Sequence, residues 1–235
     1  YVQDHEGNYT HENRTVVSSG IPLNVDQDSW YFKIIYNILV DRFFDGNKQN
    51  NRKILDPKLH KLANFQGGDI EGMNKKLNEG YFSDLGINAI WVSPIQAQPD
   101  SSYIEYIKPN RSFSGYHGYW PIEPRKIDER FGTEKDFHNL VDIAHSKNIK
   151  VILDFVSNHV HEDHIYFQDH KDWFGDFYLS DGNPNIRLWD GETMLTTWFD
   201  EFLPSFDFSN NIASSSSVNT TTSVNCVSKV SGSII

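Results

Sequence analysis

The sequence predicts an α/β fold built on a parallel sheet, on three observations. Apolar runs at 34–40, 87–92 and 149–155 lack strict polar–apolar alternation, as strands covered on both faces do. Windows with helical spacing separate these runs, so successive strands run the same way through right-handed crossovers. Polar residues gather where the runs end: Asp41, then Ser93, then Asp154, Asn158 and His159. That arrangement puts polar chemistry at the mouth of the sheet, where α/β proteins carry their sites.

Each element follows in order. Residues 1–29 are polar and without periodicity, and read as a leader or short arm. The first strand ends at Asp41, and residues 46–61 form a polar loop holding Asn47, Asn50, Asn51 and Pro57. Residues 71–85 read as one helix, with Met73, Leu77, Phe82 and Leu85 roughly on one face. The second strand ends at Ser93-Pro94, and a long loop then runs through Gly115-Tyr116-His117-Gly118-Tyr119-Trp120-Pro121. Thr133 is placed to cap another helix, with Asp136 three residues on and Phe137, Leu140, Val141 and Ala144 at helical spacing. Asn148 ends that helix, and the third strand follows. Residues 156–208 are dense in aromatics, enough for a small core. From Ser209 to Ile235 the only charge is Lys229, and this Ser/Thr/Asn-rich stretch cannot bury a core.

Composition narrows the function. A net charge of −11, from 21 basic against 32 acidic residues, argues against nucleic acid as a partner. No apolar run approaches the ~18 residues of a membrane span, so no membrane partner is expected. Cys226 is the sole cysteine, which leaves no internal disulfide. Glycosylation sequons at Asn8, Asn13, Asn110 and Asn219 lean towards an extracellular or secreted protein.

Several motifs fall in a telling order: Asp41-Arg42-Phe43-Phe44-Asp45-Gly46-Asn47, Gly67-Gly68-Asp69-Ile70-Glu71-Gly72, the stretch from Tyr81 to Trp91, the loop Gly115–Pro121, and Asp154 to His159. Together they resemble the α-amylase superfamily, glycoside hydrolase family 13, and in particular its α-amylases, maltogenic amylases and cyclodextrin glucanotransferases. The likeness runs roughly from Trp30 to Phe208. It implies a (β/α)8 TIM barrel that is incomplete in this chain, because a whole barrel takes about 250 residues before any insert. Residues 30–155 would be the first part of the barrel, with strands one to three, and 156–208 the inserted domain B. The tail, 209–235, is not family-like.

What the resemblance implies about chemistry is specific. A complete member would cleave α-1,4-glucans such as starch, glycogen or maltodextrins with retention, using two carboxyl groups ~5–5.5 Å apart. The nucleophile, the acid/base and the transition-state aspartate are expected beyond residue 208. Asp154 with Glu162 or Asp163 does not suggest a replacement pair. The chain is therefore expected to be inactive alone and to need the rest of the barrel for a stable fold. The alternatives are a non-catalytic remnant or weak glucan-binding fragment and, among enzymes, a glucanotransferase.

Site residues follow from the same likeness. Tyr119 matches the aromatic that stacks on the sugar at the cleaved bond, and His117 and His159 match residues that hydrogen-bond it. Imidazole suits that task because it donates from one nitrogen and accepts at the other. Asp154 matches a structural carboxylate, and Trp120 would extend the aromatic wall. Asp45, Asn47, Asn50 and Asn51 crowd hard oxygen donors around Gly46. Residues alone fit either an ion-free Asx-rich turn or a cation loop. The resemblance implies a Ca2+ loop completed by the Gly67 carbonyl and Asp69, with the charge of Lys48 counting against it. Asn158 matches a ligand of a second calcium site, but Ser205 stands where that site needs an Asp, and Asp207 lies two residues on. The cluster His159, His161, Glu162, Asp163 and His164 has a spacing that fits no usual zinc pattern and no cysteine assists it. Beyond His159 it reads as solvated loop.

Overall fold

The computed structural model describes residues 30–208 and, ahead of them, two short antiparallel strand pairs, Val2–Gln3 with Tyr9–Thr10 and Val17–Ser18 with Ile21–Pro22. The readings of 1–29 as a whole, of the tail 209–235, and of Cys226, Asn8, Asn13 and Asn219 lie outside the described residues.

Three parallel strands form the central sheet: β1 (Ile35–Ile38), β2 (Ala89–Val92) and β3 (Lys150–Leu153), with β2 in the middle. Register aligns Tyr36, Ile90 and Val151 in one row and Ile38, Val92 and Leu153 two residues on. Both rows pack into the main core. Alternation along a strand sends the intervening residues to the opposite face, where Ile35 is 46% and Trp91 41% exposed. The apolar run of the third strand predicts burial on both faces, yet all four β3 residues are half-buried. The physical reason is position: among the described residues β3 pairs only with β2, so it is an edge. The strands are also shorter than the apolar runs. Val40 and Asp41, at the end of the first run, already belong to a one-turn helix, Val40–Phe43.

Helices α1 (Ile70–Asn78) and α3 (Glu134–Ser146) pack on each other. They join the sheet in one core through Met73, Leu77, Phe137, Leu140, Val141 and Ala144. Thr133 caps α3 as its spacing predicts. Its hydroxyl accepts from the Asp136 N–H and the Asp136 carboxylate accepts from the Thr133 N–H, a reciprocal capping box. The single helix predicted over 71–85 is two. Gly80, at φ 84°, takes a left-handed turn that ends α1 and restarts the chain as α2 (Tyr81–Asp84). Phe82 stays fully buried, while Leu85 is thrown outward and 53% exposed.

Residues 156–208 hold one short α-helix, Ile165–Asp169, two single 3-10 turns, Lys171–Trp173 and Gly191–Thr193, and otherwise irregular chain. Val160, Phe174 and Phe206 form one small core there, and Phe202 and Leu203 form another with Trp120. Trp198 is buried, but Tyr178 and Trp189 are largely exposed, so core accounts for only part of the aromatic set. No helix among the described residues is long and apolar enough to cross a membrane.

Candidate functional site

The loop after β2 meets the end of β3 through Tyr119. Gly118, at φ 86°, makes the approach possible, since a Cβ there would lie 2.1 Å from the Pro94 carbonyl oxygen. Tyr119 then touches three of the predicted site residues. Its N–H donates to His117 Nδ1 at 3.0 Å, and its hydroxyl donates to Asp154 Oδ2 at 2.5 Å. Its carbonyl oxygen lies 3.0 Å from His159 Nε2 and accepts from it. The His117 and Tyr119 rings stack at 5.8 Å. Tyr119 remains 39% exposed, so part of it is open to solvent.

Electrostatics fix the protonation of this cluster. Burial pushes His159 down to about 4, and burial with the nearby His159 and Arg42 does the same to His117. Both imidazoles are therefore neutral at pH 7. Burial and the Asp154 carboxylate push the Tyr119 phenol up to about 12, so it stays a donor. The result is a polar cluster of neutral donors and acceptors around one carboxylate, within which His159 is only 7% exposed.

Two predicted roles change. Trp120 is only 7% exposed and packs against Phe202 and Leu203, so it builds core rather than a sugar wall. His161 and His164, read from sequence as solvated loop, are 0% and 1% exposed. His161 sits edge-on to Tyr103 at 4.4 Å, and His164 caps the short helix by accepting from the Tyr166 N–H. Apolar neighbours in the folded chain, invisible in a polar local sequence, bury both. Among the described residues no group of three His, Cys, Asp or Glu is arranged to hold a metal.

The loop after β1 is organised by two buried carboxylates. Asp41 accepts from the Gln66 and Gly67 N–H groups and pairs with Arg42. Asp69 caps α1 through the Gly72 N–H and also accepts from the Gly46 and Asn47 N–H groups and the Asn50 amide. Asn51 donates to Asp45 Oδ2 at 2.8 Å and packs over Gly67, where a Cβ would lie 2.4 Å from its Oδ1. The six predicted ligand residues of this loop thus come together. Two buried oxygens among them, Asp45 Oδ1 and Asn50 Oδ1, have no hydrogen-bond partner. Asn158 lies apart, exposed, and its amide donates to Ser205 Oγ at 3.3 Å.

The family model described as "Alpha amylase, catalytic domain" matches residues 37–220. The chain belongs to the α-amylase family. Its likeness falls in the N-terminal part of the catalytic domain. A cyclomaltodextrin glucanotransferase of Geobacillus stearothermophilus is 39% identical over 187 residues, covering 77% of this chain and 23% of that protein. The chain thus spans about a quarter of that relative's length. Among solved structures, an Anoxybacillus α-amylase aligns with TM-score 0.63 at 33% identity, over 82% of this chain and 38% of that one. A Geobacillus thermoleovorans α-amylase, solved with acarbose, aligns with TM-score 0.58 at 33% identity, over 80% of this chain and 36% of that one.

The sequence reading of this α-amylase-family chain missed the residues that hold the Tyr119 loop. Gln98 is 2% exposed, and its Oε1 accepts from the Trp120 N–H at 2.8 Å while its Nε2 donates to the Gly118 carbonyl at 2.9 Å. Its own N–H donates to Asp128 Oδ2, whose carboxylate forms a buried fork with Arg130. An amide in a loop carries no periodic signal, so only the long Pro/Gly-punctuated loop around it hinted at a need for internal support.

Proposed function

We propose that this chain supplies the glucan-binding floor of an α-amylase-type enzyme acting on α-1,4-glucans with retention. One observation carries the reading: Tyr119 stays partly exposed while its backbone and hydroxyl tie His117, Asp154 and His159 into one polar cluster. A flat ring stacks on a sugar face, and the neutral imidazole of His117 beside it can exchange hydrogen bonds with sugar hydroxyls, while buried His159 holds the Tyr119 carbonyl from behind. Asp154 then fixes the phenol and, with it, the ring plane. Retaining cleavage needs two carboxyl groups flanking the scissile bond, and the reading places that pair on strands beyond residue 208. Binding without turnover is thus the activity expected of these 235 residues alone. The relatives include both a glucanotransferase and α-amylases, and hydrolysis is the working choice for the complete enzyme.

Calorimetric titration of the protein with maltotriose and maltoheptaose, beside a starch-cleavage assay, tests the proposal. Measurable binding that falls at least tenfold in Tyr119→Leu, with no released reducing ends, is the expected result. Cleavage by the chain alone would sink the division of labour, and absence of binding would sink the site.

The loop after β1 fits a resident Ca2+. Asp45, Asn50, Asn51 and Asp69 would offer side-chain oxygens, with Asn47 and the Gly67 carbonyl completing an oxygen-only shell of the kind calcium takes. The unpartnered Asp45 Oδ1 and Asn50 Oδ1 support that fit, since a buried acceptor left unpaired is costly. The ion would tie the loop to the N-terminus of α1. The second site has weaker support: Asn158 faces Ser205, a hydroxyl where a carboxylate would be needed.

A further inference from the structure

Gln98 holds the Tyr119 loop on one side, and a second residue holds it on the other. The chain turns between Gly115 and Gly118, where the Gly118 N–H donates to the Gly115 carbonyl at 2.9 Å, and the corner of that turn is Tyr116-His117. Gln98 grips the backbone after the corner, at Gly118 and Trp120. Before the corner, the Ser114 N–H and hydroxyl donate to the Ala63 carbonyl at 3.1 and 3.0 Å, which lays the loop along residues 62–64. Neither contact touches the corner side chains, yet His117 has to keep Nδ1 aimed at the Tyr119 N–H.

Arg42, in the one-turn helix that follows β1, reaches that corner. Its guanidinium lies over the Tyr116 ring, 3.8 Å from the centroid, where a delocalised cation is attracted to the aromatic face. Its Nη1 donates to the Asn64 carbonyl at 3.0 Å and its Nη2 to the Leu62 carbonyl at 2.7 Å. One side chain thus fastens both the turn and the strip the turn lies along. Asp41, ion-paired with Arg42 and itself accepting from the Gln66 and Gly67 N–H groups, fixes the guanidinium in turn. Tyr116 packs against the main core and meets the His117 ring edge-on at 5.2 Å, so the hold on Tyr116 passes directly to His117. A lysine has no planar fork and cannot cover a ring while serving two carbonyls.

We propose that Arg42 is a positioning residue for glucan binding: stacked on Tyr116, it locks the Gly115–Gly118 turn so that His117 and Tyr119 keep one fixed geometry. The link to glucans rests on the reading of the Tyr119 cluster as a glucan floor, whereas the lock itself does not. Amide hydrogen exchange read residue by residue by NMR, beside calorimetric titration with maltoheptaose, tests both in the 235-residue protein. The variants are Arg42→Lys, which keeps a charge beside Asp41, Tyr116→Leu, Tyr116→Phe and the Arg42→Lys/Tyr116→Leu double. In Arg42→Lys and Tyr116→Leu the Tyr119 amide should exchange roughly tenfold faster while that of Ile90, in the central strand, is unchanged. Heptaose binding should weaken roughly threefold to tenfold. The double variant should be no worse than the weaker single, because both remove the same contact. Tyr116→Phe keeps the ring and should match wild type. If the Tyr119 and Ile90 amides speed up together, or neither changes, the lock is wrong. If Tyr119 responds while heptaose binding does not, the role in binding is wrong and the floor stands. If wild type binds no heptaose, the role in binding falls with the floor and exchange alone decides the lock.

Discussion

At the scale of single residues, the site depends on side chains that hold other side chains. Gln98 is the strongest case, because its amide satisfies the Trp120 N–H and the Gly118 carbonyl inside the loop. Truncation leaves both groups buried without partners, at about 1–3 kcal/mol each. Gln98→Ala should therefore cost about 2–6 kcal/mol in urea-induced unfolding and should weaken glucan binding through Tyr119. A loss under about 1 kcal/mol would mean that water replaces the amide. That Tyr119, His117, His159 and Asp154 belong to one cluster was legible because they fall in ordered motifs. Gln98 was not, since its partners are set by how the loop closes.

At the scale of elements, capping and close packing decide where helices begin. Thr133→Ala removes one half of the box on α3 and should cost about 1 kcal/mol, measured by the same unfolding transition. Gly72→Ala should be far more damaging, because a Cβ there would lie 1.9 Å from the Phe44 carbonyl oxygen and push α1 off the loop after β1. If Gly72→Ala unfolds no more easily than Thr133→Ala, that packing is wrong. The same junction is where the calcium reading is checked. Added Ca2+ should raise the melting temperature and EDTA should reverse it, and Asp45→Asn should reduce the shift. Saturation at a hundred times the dissociation constant would correspond to about 2.7 kcal/mol. An unchanged melting temperature at millimolar Ca2+ would remove the ion from the account.

At the scale of the whole molecule, the junction between the Tyr119 loop and residues 156–208 should be sensitive to acid. His117, His159, His161 and His164 are all pushed down to about 4, with burial the largest cause. A base whose folded pKa lies below its unfolded value of about 6.5 binds more protons when unfolded. Stability is then fully present above pH 6.5 and is lost as pH falls towards 4. The slope is about 1.4 kcal/mol per pH unit for each such histidine. Burial raises Asp41 and Asp69, which works in the opposite direction. The four histidines outnumber those carboxylates, so the melting temperature should drop across this window. His161 packs against Tyr103, Trp120 and Phe202, with Asp163 3.5 Å from its Nδ1. His161→Phe keeps a ring in that space and should flatten the pH dependence. An equally steep profile in the variant would exclude His161 as a contributor.

The sequence by itself determined the α/β class, the order of strands and helices, the Thr133 cap and the composition of both clusters. Apolar runs, capping pairs and motif order are local properties, and local properties are written in the chain. Tertiary structure alone decided that Gly80 splits a predicted helix, that Trp120 is core, that β3 is a half-buried edge and that His161 and His164 are buried. Each of those depends on what lies across from a residue in space. The burial of a histidine or the exposure of a tryptophan is fixed by neighbours tens of residues away, which periodicity and composition do not record.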